Sequence, residues 1–287
     1  MVARVDEITK SIGNAYKAAC LAELEALKPG NVHIFADGHG MTIDHFIKSA
    51  EATAPVISMP DLTVGQRIYL AVEATQQVVG LNTNLGIILL CAPLIQAAWH
   101  DNGNLHQTLQ SVLKNLTVDD AQLAAKAIQL AKPGGLGHAD LHDINALPQV
   151  TLLTMMQAAE SRDRIAWQYA HDFLDVFEFG QMKYQNAMNK FQNQAWATSA
   201  LYLAYLAKYP DTHVARKHGE ALALAVMLEA QEVEKHYWLT DYPKLMQQQL
   251  LNWDSKLKQG QLNPGTSADL TVVTIFLTKL VNLLNIN

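Results

Sequence analysis

The stretch Thr117-Val118-Asp119-Asp120-Ala121-Gln122-Leu123-Ala124-Ala125-Lys126-Ala127-Ile128-Gln129-Leu130-Ala131-Lys132-Pro133 decides the fold class. It opens on Thr117 with Asp120 three residues later, a pairing in which each side chain satisfies the other residue's backbone N–H at a helix start. It closes on Lys132-Pro133, where proline cannot continue the helix. The same signals recur outward along the chain. Thr63 with Gln66 opens a helix towards Val79. Asp211 can cap a long helix through Glu234, and Thr266 with Asp269 can cap a last one to Leu284. Near the start, Ile8, Ile12, Tyr16, Ala19 and Glu23 recur every three or four residues, a stripe that points mostly inward. Strand signals are sparse, and no Asn-Gly hairpin flanked by alternating residues occurs. Start and stop signals predict roughly ten to twelve helices. No linker and no repeat period breaks the chain, so the expectation is all-α, with residues 1–287 as a single compact multi-helix domain.

Composition supports a large core. Apolar residues make up 49% of the 287 and charged ones 17%, against about 25% charged in typical chains. The 15 glycines and 9 prolines are scarce, so loops are few or short. Net charge is -6 with no basic block, which argues against nucleic acid as a partner. Cys20 and Cys91 lie in apolar helical contexts and read as packed thiols suited to a reducing cytosol. Residues 1–10 carry Arg4, Asp6 and Glu7 where a signal peptide needs an apolar run. The longest apolar stretch, Leu85 to Trp99, is interrupted by Pro93 and Gln96 and is too short for a bilayer. A cytoplasmic chain with no membrane partner is expected, and the sequence leaves room for a homodimer.

The scarce glycines cluster at turns that enter or leave helices. Four stand out: Lys28-Pro29-Gly30-Asn31, Asn82-Thr83-Asn84-Leu85-Gly86, Pro133-Gly134-Gly135-Leu136-Gly137, and Asn263-Pro264-Gly265-Thr266. Free N–H groups at a helix start suit an anion, and glycine lets it approach the backbone closely. One such turn alone reads first as a helix stop; four in a glycine-poor chain favour a phosphate site. Walker A is absent, and Gly135-Leu136-Gly137 is not completed to a dinucleotide fingerprint. Arg216 and Lys217 add a guanidinium fork and a point charge suited to a polyphosphate, or simply a solvated face. For Mg²⁺ the sequence offers Asp143, Asp163 and Asp269, with Asp140, Asp172, Asp175 and Glu73 further afield. His142-Asp143 and His171-Asp172 suggest a second class, a His-Asp metal phosphohydrolase, although such dipeptides arise easily among 11 histidines. A third class is a helical nucleotide binder without catalysis.

Taken in order, these motifs resemble the triphosphoribosyl-dephospho-CoA synthase family. The matching residues are Lys28-Pro29-Gly30-Asn31-Val32, Ser49-Ala50, Glu73-Ala74-Thr75 to Gly86, Pro133-Gly134-Gly135-Leu136, Arg216-Lys217 with Gly219, and Asn263-Pro264-Gly265 to Ala268-Asp269-Leu270. They span nearly the whole chain. The resemblance implies an all-α enzyme that moves the 5-triphosphoribosyl group of ATP to a hydroxyl of 3′-dephospho-CoA and releases adenine. It implies ATP as substrate and Mg²⁺ as its escort. Such a site must bind the triphosphate without cleaving it. Lys28, Gly30, Asn31, Asn82, Thr83, Asn84, Gly86, Gly134, Gly135, Gly137, Arg216, Lys217, Asn263, Gly265 and Thr266 are the candidates for that role. Breaking the N-glycosidic bond builds positive charge on the ribose and needs carboxylates; Glu73, Asp143 and Asp269 are the candidates, unranked.

One stretch departs from the citrate-lyase branch of that family. Where that branch carries His-x-Asp-Met, this chain reads Asp37-Gly38-His39-Gly40-Met41-Thr42, so the acid is either missing or displaced to Asp37 or Asp44. Asp163 to Tyr169 and Asp211-Thr212-His213 resemble a separate branch, of the kind found in methylotrophic bacteria. That resemblance implies an alternative acceptor, a tetrahydromethanopterin precursor.

Overall fold

The computed structural model describes residues 2–101, 103–134 and 146–286. Helices follow one another with no strand among these residues. The first six are α1 (Val2–Leu24), α2 (Ile43–Ile57), α3 (Val64–Val78), α4 (Leu85–Trp99), α5 (Leu105–Lys114) and α6 (Val118–Ala131). Then come α7 (Leu152–Ala159), α8 (Arg164–Ala170), a π-helical turn (Asp175–Gly180), α9 (Gln181–Phe191) and α10 (Gln194–Lys208). The chain continues through α11 (Thr212–His218), α12 (Glu220–Leu239), a 3-10 turn (Pro243–Met246), α13 (Gln247–Gln259) and α14 (Gly265–Ile286). The all-α expectation holds, with fourteen α-helices among the described residues rather than ten to twelve.

Two of the predicted starts form as expected. Thr117 Oγ1 accepts from Asp120 N–H at 3.1 Å, and Asp120 Oδ2 accepts from Thr117 N–H at 2.9 Å. Thr63 and Gln66 pair in the same way at the head of α3. Asp120 has a second use that no local reading predicts. Its Oδ1 accepts from Gly65 N–H at 2.8 Å, pinning α3 to α6, and a Cβ at Gly65 would collide with the Asp120 backbone.

Two expected helices differ. The long helix from Asp211 to Glu234 is broken at Gly219, whose φ of 92° lies where only glycine rests comfortably, giving α11 and α12. The last helix begins at Gly265, and the Thr266–Asp269 box does not form. Asp211 Oδ2 instead accepts from Ser267 N–H and Oγ–H, each at 2.8 Å, while its Oδ1 caps α11 at His213 and Val214. A distant carboxylate thus replaces the local cap and frees Asp269 for another purpose.

The core runs through α4, α10 and α14, which are buried along most of their lengths. α14 packs on α1, α4 and α10; α3 lies between α2 and α6; α10 carries α9 and α12. One apolar cluster draws in residues from Ile12 to Leu280, each large aliphatic side chain contributing about 1.5–3 kcal/mol. Among the described residues α14 is the one helix long and apolar enough to cross a membrane, and 61% of that apolar stretch is buried within the protein, as in a core helix. Cys20 and Cys91 are buried free thiols.

Candidate functional site

A cavity of about 1060 Å³ opens where the four glycine turns converge. The first and fourth meet directly. Gly30, at φ 85°, packs against Pro264, and Asn31 Nδ2–H donates to Asn263 Oδ1 at 2.8 Å. The second turn is fixed from below: Thr83 shares a hydroxyl hydrogen bond with Ser49 at 2.6 Å, and Asn84 is held by Thr53 and Thr75, both at 3.1 Å. The third meets α11, where Arg216 Nε–H donates to Gly134 O at 3.2 Å and Lys217 lies against Gly134. Turns far apart in sequence therefore form one rim.

The floor is acidic. Asp269, on α14, lines the cavity beside Gly86, and a Cβ at Gly86 would occupy the place of the Asp269 carboxylate. Glycine at this position makes room for the acid. Asp269 makes no hydrogen bond or ion pair with any described residue. Enclosure by protein pushes its carboxyl well above the usual carboxylate range, and the nearby Glu23, Asp211 and Asp163 push it further, against a smaller opposing effect of Arg216. Glu23, on α1, shares this floor and is only 4% exposed. It is paired with Lys28, which also donates to Val32 O at 2.8 Å and Asn31 Oδ1 at 3.2 Å.

The wall opposite is cationic and half-exposed. Arg216 Nη1 lies 3.3 Å from Asp163 Oδ2, while Asp163 Oδ1 caps α8. Lys132 and Lys217 line the same side. Burial and then Arg216 lower the Lys217 ammonium from its ordinary value. His213 sits among these cations. Burial first, then Lys217, Arg216, His39 and His218, push its imidazole down to about 3, so it is neutral at pH 7. Arg164 is clamped beside them. It lies 3.7 Å from the ring centre of Trp167 and 3.8 Å from that of Tyr209, and it forks onto Asp175 at 2.8 and 3.1 Å.

The structure gathers at the cavity Asn31, Asn82, Thr83, Asn84, Gly86, Gly134, Asp163, Arg216, Lys217, Asn263, Gly265, Thr266 and Asp269. Three expected residues lie elsewhere. Lys28 is wholly buried, and its ammonium is spent on Glu23, Asn31 and Val32 rather than on a ligand. Gly30 donates its N–H to Asp254 Oδ1 at 2.8 Å, so this turn is a packing joint and not an open amide cradle. Glu73 faces away from the cavity, with Tyr69 O–H donating to it at 3.2 Å. The fourth turn also spends its amides: Gly265 N–H goes to Asn263 O and Ser267 N–H to Asp211. The hydroxyl of Thr266 meets Thr212 Oγ1 and His213 N–H. Gly135, Gly137 and Asp143 lie outside the described residues, as do Asp140 and His142.

Sequence reasoning missed Glu23, Arg164 and His213 as cavity residues. The signal for Glu23 was present, since a carboxylate on an otherwise inward stripe requires a partner or a purpose. Of the two His-Asp dipeptides that suggested a metal phosphohydrolase, the described one, His171-Asp172, is drawn to separate partners. His171 stacks on Trp167 at 4.2 Å and pairs with Glu160 at 3.2 Å. Asp172 sits outside any helix at φ 53°, and Asp175, expected one helical turn away, is the partner of Arg164. Among the described residues no group of three or more His, Cys, Asp or Glu side chains could hold a metal. A Mg²⁺ brought with a triphosphate needs only one or two carboxylates beside phosphate and water oxygens. Asp269 has its oxygens free for that role, whereas Asp163 is engaged at both.

The family model described as CitG: ATP:dephospho-CoA triphosphoribosyl transferase matches residues 9–287. Among solved structures, the chain is similar to the crystal structure of a provisionally assigned triphosphoribosyl-dephospho-CoA synthase from Archaeoglobus fulgidus. The TM-score is 0.62 at 24% identity, over 82% of this chain and 98% of that one. At such identity the likeness speaks for the fold. No curated protein matches the chain.

Proposed function

This chain belongs to the ATP:dephospho-CoA triphosphoribosyl transferase family and is an ATP-dependent triphosphoribosyl transferase; from that premise we propose that it moves the 5-triphosphoribosyl group of ATP to a hydroxyl of 3′-dephospho-CoA and releases adenine. The observation that carries this reading is the separation of charge across the cavity. An unpartnered carboxyl, Asp269, lies on the floor beside Gly86, and the cations Arg216, Lys217 and Lys132 line the wall. A triphosphate fits the wall, which places the ribose towards the floor. The bond from the ribose anomeric carbon to the purine nitrogen breaks, and a bond to the acceptor oxygen forms. The acceptor hydroxyl loses a proton and the departing purine gains one. Asp269, its carboxyl pushed well above the usual carboxylate range by burial and neighbouring acids, suits the donation to the purine. Mg²⁺ arriving with the triphosphate would be held by phosphate and water oxygens and neutralise phosphate charge, leaving Asp269 to the purine. The single core cluster supports reading residues 1–287 as one domain, and the family's biosynthetic chemistry supports a cytoplasmic enzyme.

One observation favours a second acceptor. The loop that departs from the citrate-lyase branch contributes His39 and Met41 to the cavity, while its displaced acids do not line it. Asp37 caps α2 at Ile43 N–H, and Asp44 pairs with Lys48 on the surface. A changed cavity lining fits a changed acceptor, such as a tetrahydromethanopterin precursor. The test is chromatography of reactions holding protein, ATP, Mg²⁺ and either acceptor. Free adenine with one of them is the expected product; ADP or AMP in its place overturns the reading.

A further inference from the structure

We infer that Glu23, fixed by the buried ammonium of Lys28, is the negative charge that faces the ribose ring as its C–N bond breaks. The inference rests on the ribosyl-transfer reading above. Lys28 Nζ meets three acceptors, Glu23 Oε1, Asn31 Oδ1 and Val32 O. The charged pair satisfies all three contacts from the donors of one ammonium. Burial raises the Glu23 carboxyl, and Lys28 opposes that rise by charge and hydrogen bond. Only one Glu23 oxygen is used. The other accepts no hydrogen bond from a described residue, and it is absent from the polar atoms sealed off without a partner. Glu23 lines the cavity and the small pocket beside it that shares Phe46, Asn84 and Ile87, and this oxygen is the part of the acid left to face them.

The two acids of the floor thus differ in kind. Asp269 has no cation bonded to it, whereas Glu23 is anchored by one. A fixed carboxylate in a desolvated site stabilises developing positive charge more strongly than it binds the neutral ground state. As the glycosidic bond lengthens, its electron pair leaves with the purine, which takes a proton, and the ribose ring becomes oxocarbenium-like. Glu23 balances that charge until the acceptor oxygen bonds to the anomeric carbon. Lys28, which touches no substrate, is the positioning residue.

The test compares two inhibitors that carry the same 5-triphosphate. One is an iminoribitol, cationic in its ring; the other is the anhydroribitol, neutral in its ring. Wild type is expected to bind the cationic form tighter by about tenfold or more, about 1.4 kcal/mol. Glu23→Gln is expected to lose that preference, keep its affinity for the neutral form, and release adenine about 10²–10³-fold more slowly. Asp269→Asn is expected to keep the preference. Equal binding of the two inhibitors by wild type overturns the inference without any variant, so a poorly folded Glu23→Gln does not shield it. A Glu23→Gln protein that folds and retains the preference also overturns it. A wild type that releases no adenine with either acceptor overturns the ribosyl-transfer reading instead.

Discussion

The floor and the wall of the cavity carry opposite charges and are built by different means. On the floor, Glu23 and Asp269 come from α1 and α14, near the two ends of the chain, and Gly86 on α4 makes room for the Asp269 carboxylate. Their surroundings are core helices, and their charges are poorly solvated. On the wall, Arg216 and Lys217 are neighbours in sequence on one short helix. Arg216 meets a carboxylate, Asp163, and a carbonyl, Gly134 O, and keeps 23% of its side chain exposed. The difference teaches where binding and chemistry separate. Half-exposed cations hold a polyanion in a salt-sensitive way. Desolvated acids act strongly on a reacting bond because little water screens them.

Four measurements sharpen or break that contrast. The largest effect is expected at Asp269. Asp269→Asn should slow adenine release by about 10²–10⁴-fold, the range for a lost general acid, with ATP affinity little changed. A drop in affinity alone would move Asp269 from floor to wall. Next is Lys28→Met, which strands the Glu23 carboxylate in the core. Removing one partner of a buried pair costs about 3–5 kcal/mol, to be read from chemical denaturation; an unchanged midpoint would mean the pair is not sealed. On the wall, Arg216→Ala should raise KM for ATP by about tenfold. Added salt should raise the wild-type KM and narrow that gap, whereas the rate loss in Asp269→Asn should not respond to salt. The smallest effect concerns His213. It is neutral in the folded protein down to about pH 3, while the unfolded chain takes up a proton near its ordinary value of about 6.5. The unfolded state therefore binds more protons between those values, and stability falls as pH drops through that window. His213→Gln should remove part of this acid loss, visible as a shallower fall in Tm from pH 6.5 to 4.

The floor and wall also differed in how readable they were. Arg216 and Lys217 announced themselves as adjacent cations after a capping aspartate, and Gly134 as part of a Pro-Gly turn. Asp269 was readable as a candidate, yet its local context suggested a helix cap. Only Asp211, arriving from the head of α11, took over that task. Lys28 read as a phosphate ligand because it precedes Pro29-Gly30. The fold buries it, since the turn that follows α1 docks on the α13–α14 turn, Gly30 against Pro264 and Leu262. Glu73 read as catalytic by its place in the motif series, and it faces away from the cavity on α3.

From the sequence alone came the all-α class, the starts of α3, α6 and α11, the turns that rim the cavity and the family to which the chain belongs. These depend on interactions within about one helical turn, where a cap, a proline or a glycine acts on its own neighbours. Tertiary structure alone decided which charges are spent inside the protein and which are left facing the cavity. Lys28 was paired with Glu23, Gly30 was tied to Asp254, and Asp211 was set across two helix starts, while Asp269 was left unpartnered beside Gly86. The physical reason is that desolvation and pairing depend on what packs against a group, and helices distant in sequence supply it.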